Sequence, residues 1–537
     1  MFSFPSTELV SSHAGIPPSI SSLFGTNQVP SLVDQQYVYD VLLGCKSELG
    51  GVTGELCRAR AEVERLEGRL GQIKGVISEL EALLHPIRRV PTDIMAKVFE
   101  HCVYESQGYA RLDIKHAPLS LSQVCRSWRK LVFALPCLWK MVRVDFSTSS
   151  PNWYRLMQSQ ATAMRLWISR SRSVPVSLFL TSFNRVIPSP FLALLDMEIM
   201  EAGPRIRELS LRFPTSSLCR LLSFTQGPLE FLEYLHLQST DTLPGSHSIP
   251  PLVLKSASSL QSLNISCFDL DMRGHQVPWA QLTELSLRDG FSPIGDQAPS
   301  DYLPILIQCP NLRTCSLGFG SSIPDMISDS VTPVVLPHLC TLKMLTYAET
   351  PYLKLFFGAL LLPKLRSFSI NYANSSIASH FHETECLQML NRAAETVESV
   401  SLCRMDVPDV ELSSCLSQLP HLKSLRFHPG QLGLNHDLVA MLTIPSSVTR
   451  HGGRTLHQRA ICPSLESLDL RCSGAVPVDA VVALVDSRRQ FEPQLKHFSL
   501  QLAEFAYEHD RGDEIIHTLE ARLSGHVDEG LQLILTM

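Results

Sequence analysis

From Leu42 to Leu84 apolar residues recur at alternating spacings of three and four: Leu42, Cys45, Leu49, Val52, Leu56, Ala59, Val63, Leu66, Leu70, Ile73, Ile77, Leu80 and Leu84. This is a heptad seam six repeats long, the signature of an amphipathic or coiled-coil-like helix over residues 33–85. The glycines of the stretch (Gly44, Gly50, Gly51, Gly54, Gly68, Gly71 and Gly75) all fall off the seam. Each costs roughly 1 kcal/mol of helix propensity relative to Ala, which leaves the helicity of the half before Leu56 open. A parallel homodimer would oppose Glu62 with Glu67 and Arg69 with Lys74, and only Glu55 with Arg60 would attract. The seam therefore favours a single amphipathic helix, an antiparallel pair or a different partner. Pro86 stops the pattern, and the Ser-, Pro- and Gly-rich residues 1–32 ahead of it read as a disordered tail.

The pattern then shortens. Pro91 stands where a helix can begin and Asp93 lies in its first turn, favourable to the helix dipole. Ile94, Val98, Phe99 and Cys102 follow at helical spacing on one face. After a polar insert from Tyr104 to His116, Leu121, Val124, Cys125, Trp128, Leu131 and Val132 form one apolar stripe of a second predicted helix, with Trp128 as its core anchor. Pro136 ends that helix, and Leu138, Trp139 and Val142 form a short third element. Three helices of this size are marginal alone, since a unit below roughly 60 residues buries too little surface. They suit a docking module.

The ordered motifs of this stretch resemble an F-box. Val90-Pro91-Thr92-Asp93-Ile94-Met95-Ala96-Lys97-Val98-Phe99 is similar to the family's opening, Val124-Cys125-Arg126-Ser127-Trp128 to its Val-Cys-x-x-Trp core, and Pro136-Cys137-Leu138-Trp139 to its close. Val90 and Asp93 depart from the family's Leu and Glu. The resemblance implies that Pro91, Ile94, Val98, Phe99, Leu121, Val124, Cys125, Trp128, Leu131, Leu138 and Trp139, within residues 86–146, meet a Skp-type adaptor of a cullin–RING ubiquitin ligase.

Beyond a helical linker at 147–174, which holds a predicted helix from Trp153 to Ile168, Val176 to Leu180 alternates like a strand. The form L-x-x-L-x-L then recurs eleven times, starting at Ile206, Leu232, Leu260, Leu282, Leu312, Leu339, Leu365, Val397, Leu422, Leu465 and Leu495, at intervals of 22 to 43 residues. Such a period means repeated strand-plus-helix or strand-plus-loop units. Phe191 to Met200 and Cys386 to Ala394 carry amphipathic helix material between motifs. The longest interval, with Ser446 to Arg454, reads as a surface loop. The array resembles leucine-rich repeats, but no unit carries that family's Asn or Cys three residues after the strand motif. Without that polar ladder an irregular arc is expected, from residue 175 to 537, with a capping unit after about residue 505. Leu209, Leu235, Leu285, Leu425 and Leu468 are expected to face inward, and Glu208, Glu284 and Glu466 outward.

Composition narrows the function classes. There are 46 Lys and Arg against 52 Asp and Glu, a net charge of −6, with no basic stripe, so nucleic acid is not an expected partner. The 15 cysteines are scattered without a CxxC pair, as in a reducing cytoplasmic or nuclear setting, which outweighs the glycosylation-like triplets at Asn264 and Asn374. Leu353 to Leu362 is the most apolar run, but it is short and holds Lys354, so a buried helix is expected rather than a membrane span. No P-loop, GxSxG or HExxH motif is present. Gly318-Phe319-Gly320 lacks a third glycine. His451-Gly452-Gly453 reads as a turn, His380, His382, Glu383 and Glu385 as a solvated helix start, and Arg511-Gly512-Asp513 as chance. No enzyme, metal or cofactor is expected.

The expected architecture is multidomain: an all-α N-terminal part, amphipathic helix plus F-box helices, followed by an irregular α/β leucine-rich-repeat-like solenoid. The resemblance implies a substrate receptor whose F-box holds the adaptor while the solenoid presents an unidentified protein target. The rival is a protein-interaction scaffold that uses the helix and the solenoid and assembles no ligase.

Overall fold

A computed structural model of the chain describes residues 16–105, 112–147, 152–241, 249–267, 274–289, 299–319, 332–346, 351–372, 384–405, 407, 409–429, 436–444, 461–472, 478–502 and 509–536. It forms two compact units, Met1–Ile94 and Met95–Met537.

The first unit is dominated by one helix. A helical turn, α1 (Pro18–Ser21), precedes α2 (Leu32–Leu84), which runs unbroken for 53 residues through its glycines. Ser31 caps it, accepting the Asp34 N–H at 3.3 Å, and the Ser19 hydroxyl donates to Asp34 at 3.2 Å. These contacts give residues 16–31 local structure where composition predicts a disordered tail; residues 1–15 lie outside the described part. No side chain of α2 is buried.

Helix α3 (Thr92–Glu105) crosses from the first unit into the second. The second unit opens with α4 (Leu119–Val124), α5 (Arg126–Ala134) and a 3-10 turn, Pro136–Trp139. A 14-stranded parallel sheet follows, its strands adjacent in chain order. They are β1 (Met141–Asp145), β2 (Val176–Thr181), β3 (Ile206–Phe213), β4 (Tyr234–Ser239), β5 (Ser262–Cys267), β6 (Glu284–Asp289), β7 (Thr314–Phe319), β9 (Thr341–Thr346), β11 (Ser367–Tyr372), β12 (Ser399–Cys403), β13 (Ser424–His428), β14 (Ser467–Cys472), β15 (His497–Leu502) and β16 (Gln532–Thr536). Two short strands, β8 (Val334–Val335) and β10 (Leu360–Leu361), pair separately.

Helices fill most intervals: α6 (Trp153–Arg170), α7 (Ser189–Ala202), α8 (Thr215–Leu221), α9 (Pro299–Ile307), α10 (Pro351–Ala359), α11 (Thr384–Arg392), α12 (Asp409–Ser417), α13 (His436–Leu442), α14 (Val478–Arg489) and α15 (His509–Asp528). Between β4 and β6 the described connections hold no α-helix, only a 3-10 turn at Trp279–Gln281, and Leu252, Leu254 and Leu260 fill the core there instead. The expected helix in the Leu353–Leu362 run is α10, and among the described residues no helix is long and apolar enough to cross a membrane.

The repeat motif puts its second and third apolar residues on each strand. Leu209, Leu235, Leu285, Leu425 and Leu468 lie on β3, β4, β6, β13 and β14 with at most 2% exposure. Glu284 points out to solvent, whereas Glu208 is half-buried and its carboxyl is pushed above the usual range by that burial, offset by a hydrogen bond with Ser177. Two boundaries differ from the sequence reading. The sheet begins at Met141, not near Pro175, because Met141-Val142-Arg143-Val144-Asp145 pairs with β2 and buries Val142 and Val144. The end is extended rather than capped: α15 leads into a fourteenth strand, β16, whose Ile534 is exposed.

Unit-to-unit registration comes from the backbone. The Glu233 carbonyl accepts from the N–H groups of both Gln261 and Ser262 (2.9 and 3.0 Å), that of Arg313 from Cys340 and Thr341 (2.8 and 3.0 Å), and that of Glu466 from Lys496 and His497 (2.7 and 3.1 Å). The same paired bonds recur at Gln261, Thr283, Cys340, Arg366, Glu398 and Lys423. Side chains add ion pairs along this line, Arg207–Glu233, Lys423–Glu398 and Lys496–Glu466 at 2.9, 3.0 and 2.7 Å.

The widest interval, whose residues 445–460 lie outside the described part, is closed from below by Arg488. Its guanidinium is buried and donates to the carbonyls of Leu442, Cys462 and Ile461 at 2.8, 2.7 and 2.6 Å. Burial lowers its pKa to about 10. Arg488→Met leaves these carbonyls without their donor, and a loss of roughly 2–4 kcal/mol is expected, measured as a lowered denaturant midpoint with an unchanged transition slope.

Candidate functional site

The helices of the 86–146 stretch sort their apolar residues onto two sides. On α3 the buried residues are Met95, Phe99 and Val103, while Ile94 and Val98 are 46% and 45% exposed. The predicted single face of Ile94, Val98, Phe99 and Cys102 is therefore split: Phe99 turns into the core and the other aliphatic pair turns to solvent. Pro91, just ahead of α3, is exposed as well.

The expected second helix is two. Cys125 is extended (φ −157, ψ 171) and ends α4. Its Sγ accepts the Trp128 N–H at 3.4 Å and so caps α5, as a short polar side chain does at an N-terminus. Arg129 clasps the break, donating to the Ser122 carbonyl at 2.8 Å. The break interrupts the single stripe. Val124 is 60% exposed, Cys125 is exposed, and Leu121, Trp128 and Leu131 are half-buried, while Val132 is buried.

The core anchor is Trp139 rather than Trp128. Trp139 is 1% exposed, its indole N–H donates to the Val132 carbonyl at 3.0 Å, and its ring meets Trp167 of α6 edge-on at 4.8 Å. The Arg170 guanidinium covers the Phe133 and Trp139 rings at 4.4 and 4.6 Å, and burial lowers its pKa. Leu138 is buried beside it in sequence. Trp128 instead lies across Phe99, ring centroids 4.9 Å apart, with part of its surface open. The Cys137 thiol donates to Glu100 of α3 at 3.0 Å, tying α3 to the 3-10 turn. Burial and that neighbouring carboxylate push the thiol up to about 11, so it is not a nucleophile at neutral pH.

The sheet presents a second surface that the sequence reading did not single out. Residues alternate with the buried leucines on each strand, and one row in register runs Thr314, Thr341, Ser367, Ser399, Ser424, Ser467. Charged and aromatic groups gather at two places on the sheet, over β1 to β3 and over β13 and β14. On one side a cleft of about 360 Å³ is lined by Arg143, Asp145, Gln160, Thr181, Phe183 and Arg212. Gln160 donates to the Asp145 carbonyl at 3.0 Å, and the Arg212 guanidinium lies 5.6 Å from the Phe183 ring centre. Reading β1 as a strand would have revealed this cleft. On the other side Asp469 lies 2.6 Å from Arg426 and 3.0 Å from His428. Burial alone would raise the Asp469 carboxyl, but hydrogen bonds from His428 and Arg426 outweigh it and hold it at about 2.

Among the described residues no group of acidic, His and Cys side chains could hold a metal. His380, His382, Glu383 and His451-Gly452-Gly453 lie outside the described part. The Cys309, Cys415 and Cys462 thiols are pushed up to about 12 by burial and act as core hydrophobes.

No protein-family model and no curated protein matches the chain. Among solved structures it is similar to a chain in the crystal structure of the Rad7 and Elc1 complex in yeast, at 13% identity and a TM-score of 0.35, over 88% of this chain and 96% of that one.

The two tryptophans are expected to separate on mutation. Trp139→Ala should cost about 3–5 kcal/mol, as for any fully buried Trp, and Trp128→Ala clearly less, both read by chemical denaturation. Asp469→Asn should cost roughly 1–2 kcal/mol near neutral pH. Because the folded pKa is depressed, the stabilisation is present above about pH 4 and is lost as pH falls towards about 2. The gap in denaturation midpoint between wild type and variant should therefore narrow between pH 6 and pH 3.

Proposed function

We propose that this chain is a substrate receptor of a Skp–cullin–F-box type ubiquitin ligase. Its F-box segment docks a Skp-type adaptor, and its parallel-strand array, a leucine-rich-repeat-like solenoid, holds a protein target. The observation that carries the reading is the set of apolar side chains left open in this segment. Val98, Val124 and Cys125 are exposed and Trp128 is half-covered, while Phe99, Leu138 and Trp139 fill the core. Exposed aliphatic groups beside a half-buried aromatic ring are what a docking surface needs, and they stand at the positions of the F-box motif. Catalytic groups come from other subunits in this reading, and the receptor acts by proximity, in the cytoplasm or nucleus. The target surface is the outward face of the sheet, with the Arg143–Arg212 cleft and the Arg426–His428–Asp469 cluster as its charged sites.

A scaffold that assembles no ligase is the second reading, favoured by the exposed apolar seam of α2. Adaptor capture separates the two. The full chain, co-expressed with a Skp-type adaptor, should co-purify with it. Val98→Asp combined with Val124→Asp changes solvent-facing side chains, so folding should survive while capture falls at least about tenfold; Trp128→Ala should do likewise. Deleting residues 1–80 should leave capture intact. Wild-type capture by the double Asp variant, at unchanged circular dichroism, would refute the assignment.

A further inference from the structure

The seam of α2 is bare: Leu49, Leu56, Val63, Leu70, Ile77 and Leu84 are between 48% and 71% exposed. A stripe this long does not stay uncovered in water, and its flanking charges say what covers it. Taking Leu42 as the first core position, one flank carries Lys46, Arg60, Glu67, Lys74 and Glu81, and the other carries Glu48, Glu55, Glu62 and Arg69.

We propose that α2 pairs with α2 of a second copy of this chain, antiparallel, with Cys45 level with the partner's Leu84. In an antiparallel pair each flank meets its own counterpart, so nearest-level partners can be read from the helical rise. In this register core residues meet from Cys45 opposite Leu84 through to Val63 opposite Leu66, with no glycine in any layer. The flanks then bring Lys46 to Glu81, Arg60 to Glu67 and Glu62 to Arg69, each twice by symmetry, and no like charges meet. Sliding by one heptad destroys this match: one direction sets Arg60 on Arg60 and Lys46 on Lys74, the other sets Arg60 on Lys74 and Glu67 on Glu67. The parallel pair opposes Glu62 with Glu67 and Arg69 with Lys74. Charge complementarity thus selects one partner, one orientation and one register. Within one copy Glu62 already holds Arg65 at 2.7 Å, so the helix surface is ion-paired before it docks. The glycines gather on the outer side, where an added Cβ would meet nothing within 4 Å. The inference does not depend on adaptor binding.

Sedimentation equilibrium of the full chain should give twice the 59.8 kDa monomer mass at micromolar concentration. Leu84→Cys should form an intermolecular disulfide with the native Cys45 under mild oxidation, whereas Cys45 should not cross-link to Cys45, about 58 Å away along the pair. Arg60→Glu should raise the dimer dissociation constant about tenfold, because two attractive pairs become repulsive. Adding Glu67→Arg should restore it, which a merely unfolded variant could not do. A monomer at these concentrations, a Cys45–Cys45 cross-link, or failure of the charge swap to rescue would overturn the proposal.

Discussion

The strand-entry carbonyl ladder is the constraint on which the large unit depends. Each carbonyl at the second position of the motif accepts two successive N–H groups from the next unit, from Glu233 to Glu466. No Asn or Cys stands three residues after the motif, at the far end of the strand, to form a side-chain ladder there. Holding the near end chiefly by backbone bonds lets everything beyond it vary. Intervals can then shrink to 22 residues, with a 3-10 turn for a helix, or stretch to 43, provided the motif itself keeps register. Where the stretch is greatest, a charged side chain enters the core: Arg488 bonds three carbonyls that no neighbouring unit reaches. Its desolvation is tolerable because all three bonds are short and charge-assisted.

The same sequence positions explain what could and could not be read in advance. The last two motif leucines alternate with polar residues, and the motif recurs eleven times, so its strands were legible, as were α6, α7 and α11 from their helical spacing. The 53-residue span of α2 exceeded what its glycines argued for, since propensity is a weak prior against a continuous heptad pattern. Trp128 and Trp139 were not separable by pattern, because both sit at apolar positions. Only three dimensions show that Trp139 finds Trp167, twenty-eight residues further on, while Trp128 finds Phe99 and the surface. The break at Cys125 was hidden because a Cys cap looks like one more apolar residue in a stripe. Strand β1 was missed because it follows the 3-10 turn directly, with one residue between them, and carries one arginine and one aspartate in five residues.

Burial divides residues 86–146 by position rather than by residue type. Aromatic rings (Phe99, Trp139 and their neighbours) take the core, where large area and edge-on contacts fix a small helical unit to the first strands. Met95, Val103, Val132 and Leu138 join them there, while Val98, Val124 and Cys125 stay at the surface. Exposed apolar groups of this kind are what the proposed adaptor contact would use. The small helices are thus not asked to fold alone. Trp139 anchors them on α6 and, through β1, on the sheet.

The outward face of the sheet follows the opposite logic. Its central row of Ser and Thr hydroxyls offers short side chains that cost little entropy to order and that donate or accept as required. A row of this kind can lie along a polypeptide but discriminates little by itself. Discrimination needs groups that penalise a wrong partner, and charged groups of this kind stand in the cleft over β1 to β3 and in the Asp469 cluster over β13 and β14. Asp469 is already paired, so a target group placed there must match the existing arrangement of charge rather than neutralise it. The cleft sets the Arg212 guanidinium beside the Phe183 ring, with Asp113 and Asp145 also in its lining, an arrangement suited to a polar group such as a peptide carbonyl. In the proposed reading, a target that engaged both sites would have to run across the strands between them, so its length and the chemistry of both contacts would together set the choice of target.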